Sequence, residues 1–254
     1  MATTPAEFKR RLMAGDPLVG VFIKTPAIEV VETLAMCGFD WLCLDTEHAP
    51  IDRRSMDAPL AIARAFGLPM MVRVATAAPA PILQALDCGA VGVLVPHVDS
   101  PAKARDVARW AHFGEGGRGY AGSTRWAGYA GVSITENLKR DLDETIVMAQ
   151  VEDAAALQVI DEIAATPGID SLFVGPADFA VALGGTSPTD QVVLRAYDAV
   201  AAAAKRHRRN LSTFAATPEI AQDLRKRGVS AFLVGSEHGL MLTAGRALTS
   251  SFRP

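Results

Sequence analysis

The sequence predicts a single (β/α)8 (TIM) barrel. Short, mostly apolar runs rich in β-branched residues alternate with longer segments of helical periodicity along the whole chain. Glycine, proline, aspartate or another charged residue bounds each run, as expected for strands buried in a parallel sheet. Eight such pairs fit into 254 residues, and about 250 residues is typical of this barrel. The same alternation leaves a doubly wound open parallel sheet as the alternative.

Several predicted elements have a recognisable start or stop. Pro96 and Gly175 end apolar runs, while Ser100-Pro101 and Thr217-Pro218 begin helices, because Ser and Thr cap a helix and proline fits its first position. Strands are predicted at residues 19–23, 41–45, 70–74, 91–96, 145–151, 171–175, 211–215 and 231–235. Helices are predicted at residues 28–36, 54–66, 79–86, 101–111, 154–164, 190–207, 218–226 and 239–248.

Residues 112–141 interrupt this alternation. The segment is rich in glycine and contains Tyr120 and Trp126 together with Arg118 and Arg125. Long loops inside compact domains are usually functional or disordered. We therefore expect this segment to cover the mouth of the barrel or to form a subunit contact.

Composition limits the class of protein. No linker or change of composition divides residues 1–254, so we expect one domain. A formal charge of −3 argues against a nucleic-acid binder, which normally carries a basic excess. No apolar run approaches the roughly 20 residues of a membrane helix, and the polar N-terminus resembles no signal peptide. Three cysteines without a CxxC pair fit a reducing compartment, so we expect a cytoplasmic enzyme.

Polar residues gather where the predicted strands end. In barrels of this kind the active site lies at the carboxyl ends of the strands. The opposite ends of the predicted strands carry no comparable set. The residues at the carboxyl ends are Lys24, Asp45, Glu47, His48, Arg73, Gln150, Glu152, Asp178, Glu237 and His238.

Two of these residues predict a metal site. Glu152 and Asp178 follow neighbouring strands, so their carboxylates are expected to face each other, and both stay ionised only if a cation lies between them. Oxygen ligands favour Mg²⁺ or Mn²⁺. Taken alone, Asp178 could equally be the cap of the next helix.

Arg73 and His48 each permit two interpretations. A buried arginine requires an anion, which is either a substrate or a carboxylate such as Asp45 or Glu47. His48 is either a structural histidine or a general base. Pro176 is expected to begin a short helix whose N–H group at Ala177 points into the site and binds a carboxylate.

Together, these motifs resemble the HpcH/HpaI class II pyruvate aldolases. The resemblance covers nearly the whole chain in the family's order. It rests on residues 38–50 (GFDWLCLDTEHAP), Val72-Arg73, residues 86–90 (LDCGA), residues 94–96 (LVP), Arg118-Gly119, residues 150–152 (QVE) and residues 175–178 (GPAD). It implies a (β/α)8 barrel, commonly a hexamer of swapped-helix dimers (a trimer of dimers), and reversible, metal-dependent aldol cleavage of 4-hydroxy-2-oxo acids to pyruvate and an aldehyde.

The resemblance also implies roles for single residues. Glu152 and Asp178 would bind the divalent metal (Mg²⁺ or Mn²⁺, with Co²⁺ possible). Gln150 would lie beside the pyruvate, and Arg73 would stabilise the enolate oxygen. The remaining assignments are His48 as the acid/base, Asp45 as an acidic residue of the same pocket and Asp87 as the carboxylate that orients the histidine. From its place in the predicted mouth segment, Arg118 is expected to bind acidic aldehydes. Residues 236–238 and 122–124 depart from the family pattern, which leaves the aldehyde open.

Three other functions remain as alternatives. A Schiff-base aldolase needs a lysine inside the barrel, and of six lysines only Lys24 lies near a strand end. An acyl-CoA lyase for malyl- or citryl-type thioesters would need a basic groove, for which Arg118 and Arg125 are the candidates. A non-catalytic 2-oxo acid-binding barrel would have no use for both His48 and Arg73. Oxaloacetate decarboxylation is an expected side activity of the aldolase.

Overall fold

A computed structural model describes residues 2–253 of the chain as one closed barrel. Eight parallel strands follow one another around it in chain order. Leu18 of the first strand pairs with Ala231 of the last, which closes the sheet and excludes the open-sheet alternative. The predicted (β/α)8 fold is confirmed. The strands are β1 Leu18–Ile23, β2 Trp41–Asp45, β3 Met70–Arg73, β4 Gly92–Val95, β5 Ile146–Val151, β6 Ser171–Val174, β7 Asn210–Phe214 and β8 Ala231–Ser236.

Helices surround this barrel, and most lie where the periodicity predicts them. Ser100 and Thr217 cap their helices as expected, since each side chain accepts a hydrogen bond from a backbone N–H three residues on. The helices are α1 Pro5–Ala14, α2 Ile28–Ala35, α3 Arg53–Ala65, α4 Pro79–Asp87, α5 Pro101–Ala111, α6 Ile134–Glu144, α7 Ala154–Gln158, α8 Ile160–Ala165, α9 Pro176–Ala182, α10 Gln191–Arg206, α11 Pro218–Lys226 and α12 Glu237–Ser251.

The structure corrects the predicted helices in four places. Helix α1 was not predicted, and α6 begins inside the segment 112–141, which was predicted to be a loop, and extends three residues beyond it. The single helix predicted at 154–164 is two helices, because Val159 leaves the helical conformation at φ −127° and ψ 19°. The last helix begins at Glu237, two residues before its predicted start.

Helix α1 closes the N-terminal end of the barrel. Phe8 and Leu12, four residues apart, are fully buried, and the ring of Phe8 lies 6.0 Å from that of Trp41. The side-chain amide of Asn210 at the start of β7 donates to the carbonyl of Leu12 at 2.9 Å. Because this end is filled, the C-terminal ends of the strands form the open mouth.

The apolar core has two layers. Inside the barrel, side chains such as Phe22, Met71, Met148 and Phe173 pack with those of α1. Between the strands and the outer helices lies a larger layer of Val, Ile, Leu and Ala. Within residues 2–253, no helix is long and apolar enough to cross a membrane.

The segment between α5 and α6 lies at the N-terminal end of the barrel. Helix α5 runs back from the mouth, so residues 112–133 begin at the opposite end. Arg125 in this segment donates to the carbonyl of Cys88, which precedes β4, at 2.7 Å. The expectation that the segment covers the mouth of its own barrel is therefore wrong, whereas a subunit contact stays a prediction.

Candidate active site

Asp45 and Arg73 form the most buried ion pair of the mouth. They lie opposite each other at the ends of β2 and β3. The Arg73 Nε and Nη2 atoms donate to the two Asp45 carboxylate oxygens at 3.0 and 2.7 Å. Lys24, just after β1, donates to the same carboxylate. The salt bridge that the sequence left as an alternative for Arg73 is therefore present.

The surroundings of this pair favour its charged form. Burial alone would raise the pKa of Asp45, but hydrogen bonds from Arg73 and Lys24 outweigh it and lower that pKa to about 2. The Arg73 guanidinium also stacks on Phe22, 4.5 Å from the ring centroid. Within residues 2–253, Arg73 Nη1 makes no hydrogen bond and remains available to a substrate.

Glu47 lies between Arg73 and His48. Its Oε2 atom is 3.3 Å from Arg73 Nε and 3.6 Å from His48 Nε2. The same atom is buried and has no hydrogen-bond partner among the described residues. Burial raises the pKa of Glu47 despite its cationic neighbours. The His48 side chain is 60% exposed, so its ring can reach a molecule in the mouth.

Glu152 and Asp178 border one small cradle. Glu152 follows β5, and Asp178 lies in the first turn of α9. A Cβ atom placed on Gly175 would be 2.7 Å from Glu152 Oε2 and 3.5 Å from Asp178 Oδ2, so both carboxylates reach the space that this glycine leaves free. Burial raises the pKa of Glu152, and the charge of Asp178 adds to this.

The donors around this cradle fit a divalent cation. Two carboxylates provide hard oxygen ligands, and the buried Gln150 Oε1 has no hydrogen-bond partner among the described residues. Gln150 Nε2 donates to Glu152 Oε2. No group of three or more His, Cys, Asp or Glu in residues 2–253 is arranged to hold a metal. A cation here would therefore take its remaining ligands from water and substrate.

His97 was not among the site residues predicted from the sequence, but it also lies at this mouth. It follows Pro96 at the end of β4, and its Nδ1 atom is 3.0 Å from Asp153 Oδ2 and 3.5 Å from Glu152 Oε1. Burial alone would lower the pKa of His97, but these carboxylates outweigh it and raise that pKa. The rule that selects residues after strand ends would have found this histidine.

Glu237 forms hydrogen bonds with the loop that follows β1. Its buried carboxylate accepts hydrogen bonds from the backbone N–H groups of Lys24 and Thr25, at 2.9 and 2.7 Å to Oε1. His238 Nε2 lies 2.8 Å from the Thr25 hydroxyl. These contacts connect the end of β8 to the loop that carries Lys24.

Asp87 and Arg118 lie at the other end of the barrel. Asp87 ends α4, and Arg118 follows α5. The Arg118 side chain is fully buried, donates to Asp87 Oδ1 at 2.8 Å and packs against the adjacent rings of Phe113 and Trp126. Among the described residues, the hydrogen bonds of Asp87 go to Arg118 and not to His48. The roles predicted for both residues stay predictions, and one chain alone does not bring them to the mouth.

The HpcH/HpaI aldolase/citrate lyase family model matches residues 18–244. The chain belongs to this family. It is 36% identical to a hydroxypyruvate/pyruvate aldolase of Paraburkholderia phytofirmans over 72% of this chain and 73% of that protein. It is 31% identical to a 5-keto-4-deoxy-D-glucarate aldolase of Klebsiella pneumoniae over 99% and 98%.

A solved structure agrees with these sequence matches. The crystal structure of a HpcH/HpaI aldolase/citrate lyase family protein from Burkholderia cenocepacia superimposes with a TM-score of 0.91 at 33% identity, covering 98% of this chain and all of that one. Together with the aldolase relatives, it identifies the chain as a carbon–carbon lyase with aldolase-type cleavage. The predicted family and enzyme class are confirmed.

Proposed function

We propose that this enzyme catalyses the reversible, metal-dependent cleavage of 4-hydroxy-2-oxo acids to pyruvate, or a close 2-oxo acid, and an aldehyde. One observation carries the proposal. Glu152 and Asp178 meet beside Gly175 in the mouth of the barrel that also contains Arg73 and His48. The hydroxypyruvate/pyruvate aldolase relatives support a small 2-oxo acid as the nucleophile.

Glu152 and Asp178 would hold a divalent cation, Mg²⁺ or Mn²⁺. The chemistry supplied there is Lewis-acid stabilisation of the charge that develops on the 2-oxo acid. Gln150, whose amide lies against Glu152, would line the pyruvate site. The backbone N–H of Ala177 is in the first turn of α9, which no side chain caps, and would donate to the substrate carboxylate.

Arg73 would stabilise the enolate oxygen. Breaking the C3–C4 bond leaves an electron pair on the pyruvate fragment, and negative charge develops on its 2-oxo oxygen. Asp45 fixes the guanidinium through Nε and Nη2, so the free Nη1 is held in one place before the reaction begins. One such preorganised donor contributes on the order of 3 kcal/mol to transition-state stabilisation.

His48 would exchange the proton of the C4 hydroxyl group. Cleavage requires removal of this proton as the C3–C4 bond breaks, and aldol synthesis requires its return. The imidazole is exposed at the mouth, and Glu47 is the nearest carboxylate of its own chain. Asp87 could orient it only from another chain.

The structure gives less support to the alternative functions. A Schiff-base lysine must be a neutral amine, but the Lys24 ammonium is paired with the buried Asp45 carboxylate. A CoA groove would need free cations, but Arg118 and Arg125 are paired with Asp87 and Asp57. We therefore retain the aldolase as the proposed function.

We also propose that the enzyme is a homo-oligomer, expected as a hexamer built from dimers. The roles assigned to Asp87 and Arg118 require the N-terminal end of one barrel to approach the mouth of another. Large apolar side chains remain exposed on the last helix: Leu240, Met241, Leu242 and Leu248 of α12, followed by Phe252. Exposed apolar patches of this kind are typical of subunit contacts.

Metal removal tests the proposed function. Turnover of pyruvate with a panel of aldehydes, and decarboxylation of oxaloacetate, should disappear in EDTA and return with Mg²⁺ or Mn²⁺. Glu152→Gln and Asp178→Asn should stay inactive when metal is added back. Full activity in the chelator, together with borohydride trapping of pyruvate on a lysine, would contradict the assignment.

A further inference from the structure

We propose that His97 is a positioning residue for the cation site. It holds one oxygen of Glu152 and thereby leaves the other oxygen facing Asp178. The inference rests on the proposed metal-dependent function and extends it to a residue outside the predicted site. Three observations support it: the backbone conformation of the β4–α5 loop, the contacts of the imidazole ring, and the different hydrogen-bond partners of the two Glu152 oxygens.

The backbone of His97 adopts the left-handed conformation, with φ at 54°. Residues with a side chain rarely adopt this conformation, and it persists where the surrounding contacts require it. Here it directs the His97 N–H at Glu152 Oε1, at 2.9 Å. The next N–H, that of Val98, donates to the Gln150 carbonyl at 3.0 Å. The loop after β4 is therefore fastened to the end of β5, where both Gln150 and Glu152 lie.

A lysine holds the same loop from its other side. The Lys103 ammonium donates to the His97 carbonyl at 2.7 Å and to Asp99 at 2.8 Å. Both backbone groups of His97 therefore have fixed partners. The ring is attached to a backbone that has little freedom to move.

The imidazole adds a second contact to Glu152. Nδ1 lies 3.0 Å from Asp153 Oδ2 and 3.5 Å from Glu152 Oε1. A nitrogen between two carboxylates must carry a proton, so Nδ1 acts as the donor. Asp153 thus fixes the ring over Glu152 Oε1, the oxygen that the His97 backbone already binds.

The two carboxylate oxygens of Glu152 therefore have different hydrogen-bond partners. Oε1 accepts from His97, whereas Oε2 accepts from Gln150 and lies beside Gly175, where Asp178 also reaches. The arrangement presents one Glu152 oxygen to a cation and restrains rotation of the carboxylate. Groups that orient metal ligands in this way typically change metal affinity by about 10- to 100-fold when they are removed.

Direct Mn²⁺ binding to the substrate-free protein, measured by calorimetry or electron paramagnetic resonance, tests this role. His97→Gly keeps the left-handed backbone and its N–H but removes the ring. We expect it to bind Mn²⁺ about 10-fold more weakly than the parent. His97→Asn places an amide N–H near the position of Nδ1 and tolerates the left-handed conformation, so it should restore most of the affinity.

A matched control separates the ring from the backbone. Arg208 is also a left-handed residue other than glycine, with φ at 55°, and it lies exposed before β7 at the other end of the barrel. Arg208→Gly should bind Mn²⁺ like the parent. If His97→Gly does not fold, His97→Ala makes the same comparison.

The outcomes distinguish this inference from the function on which it rests. A folded His97→Gly or His97→Ala protein that binds Mn²⁺ as tightly as the parent, or more tightly, would overturn the positioning role alone. A parent that binds Mn²⁺ no better than Glu152→Gln would overturn the proposed metal site and the inference with it.

Discussion

Asp45 connects three strands at the mouth of the barrel. Its buried carboxylate accepts hydrogen bonds from Arg73 of β3 and from Lys24 after β1, and also from the backbone N–H groups of Glu47 and His48 at 3.2 Å. A buried carboxylate is costly unless its hydrogen bonds are satisfied, and this one has donors on both oxygens. We conclude that Asp45 fixes the position of Arg73 and the turn that carries His48.

The lowered pKa of Asp45 predicts how stability depends on pH. With a pKa of about 2 in the folded protein and an ordinary value of 3.8, the ionised carboxylate contributes about 2 kcal/mol to the free energy of unfolding. Because the folded pKa is the lower one, this contribution is present above about pH 4 and disappears as the pH falls through about 2.

Urea denaturation of the parent and of Asp45→Asn at several pH values measures this contribution. The difference in the free energy of unfolding should be largest near neutral pH and should shrink between about pH 4 and 2. A difference that stays constant over this range would show that the Asp45 charge does not stabilise the fold. Asp223→Asn is the control, since Asp223 pairs with Lys226 in an exposed position.

Substitutions of His48 and Arg73 should affect different sets of reactions. Loss of the base in His48→Ala should reduce aldol cleavage by roughly two to four orders of magnitude. The same variant should keep much of the oxaloacetate decarboxylation, which needs no hydroxyl proton removed. Arg73→Ala should lose cleavage, decarboxylation and exchange of the pyruvate methyl protons in D₂O, because all three pass through the enolate.

The three assays, run on both variants at saturating metal, assign the two roles separately. Normal cleavage by His48→Ala would contradict its role as the base. Proton exchange at the parental rate by Arg73→Ala would contradict its role at the enolate oxygen. His207→Ala is the control, because His207 ends α10 at the opposite face and pairs with Asp161.

At the scale of the elements, α1 fills and closes the N-terminal end of the barrel. Replacing the fully buried Phe8 by alanine leaves a cavity against Trp41 and should lower the free energy of unfolding by about 3 to 5 kcal/mol. Met13→Ala, in the same helix but 40% exposed, should change it by less than about 0.5 kcal/mol. Equal effects of the two substitutions in urea denaturation would mean that α1 does not close the barrel.

The strands could be predicted from the sequence, but two of the helices could not. A barrel strand is buried on both faces, so its residues can be apolar throughout, as in β4, and the signal is strong. Helix α6 instead buries Asn137 and Asp141, while Ile134 and Leu138 are exposed. Its hydrophobic pattern is therefore the reverse of what a core-facing helix shows, and helical periodicity does not reveal it.

The candidate site could be predicted only where residues lie at or just after the carboxyl ends of strands. Glu152 and Asp178 were found because the carboxyl ends of neighbouring parallel strands meet at one edge. His97 was missed although it obeys the same rule. The position of Arg118 could not be predicted, because it depends on the direction of α5 and on the ring pair of Phe113 and Trp126 against which it packs.

For the molecule as a whole, the two ends of the barrel carry different parts of the assigned chemistry. The proposed metal ligands and His48 lie at the mouth, whereas Asp87 and Arg118 lie at the closed end. Exposed apolar side chains follow one stripe of α6, at Ile134, Leu138 and Leu142, beside that closed end. If Asp87 orients His48 as the family resemblance implies, each site must combine residues of two chains.

A mixing experiment tests this shared site. Glu152→Gln disables the metal site of its own chain, and Asp87→Asn, which keeps an acceptor for Arg118, disables only what the chain would give to a neighbour. Each variant alone should be nearly inactive. In oligomers formed from equal amounts of both, about a quarter of the sites should combine an intact Glu152 with an intact Asp87, so about a quarter of the parental activity should return.

Glu152→Gln mixed with Asp178→Asn is the control and should regain nothing, since both changes affect the same part of the site. Mixed oligomers, verified with two affinity tags, that stay as inactive as this control would show that Asp87 contributes nothing to a neighbouring chain and would overturn the shared site.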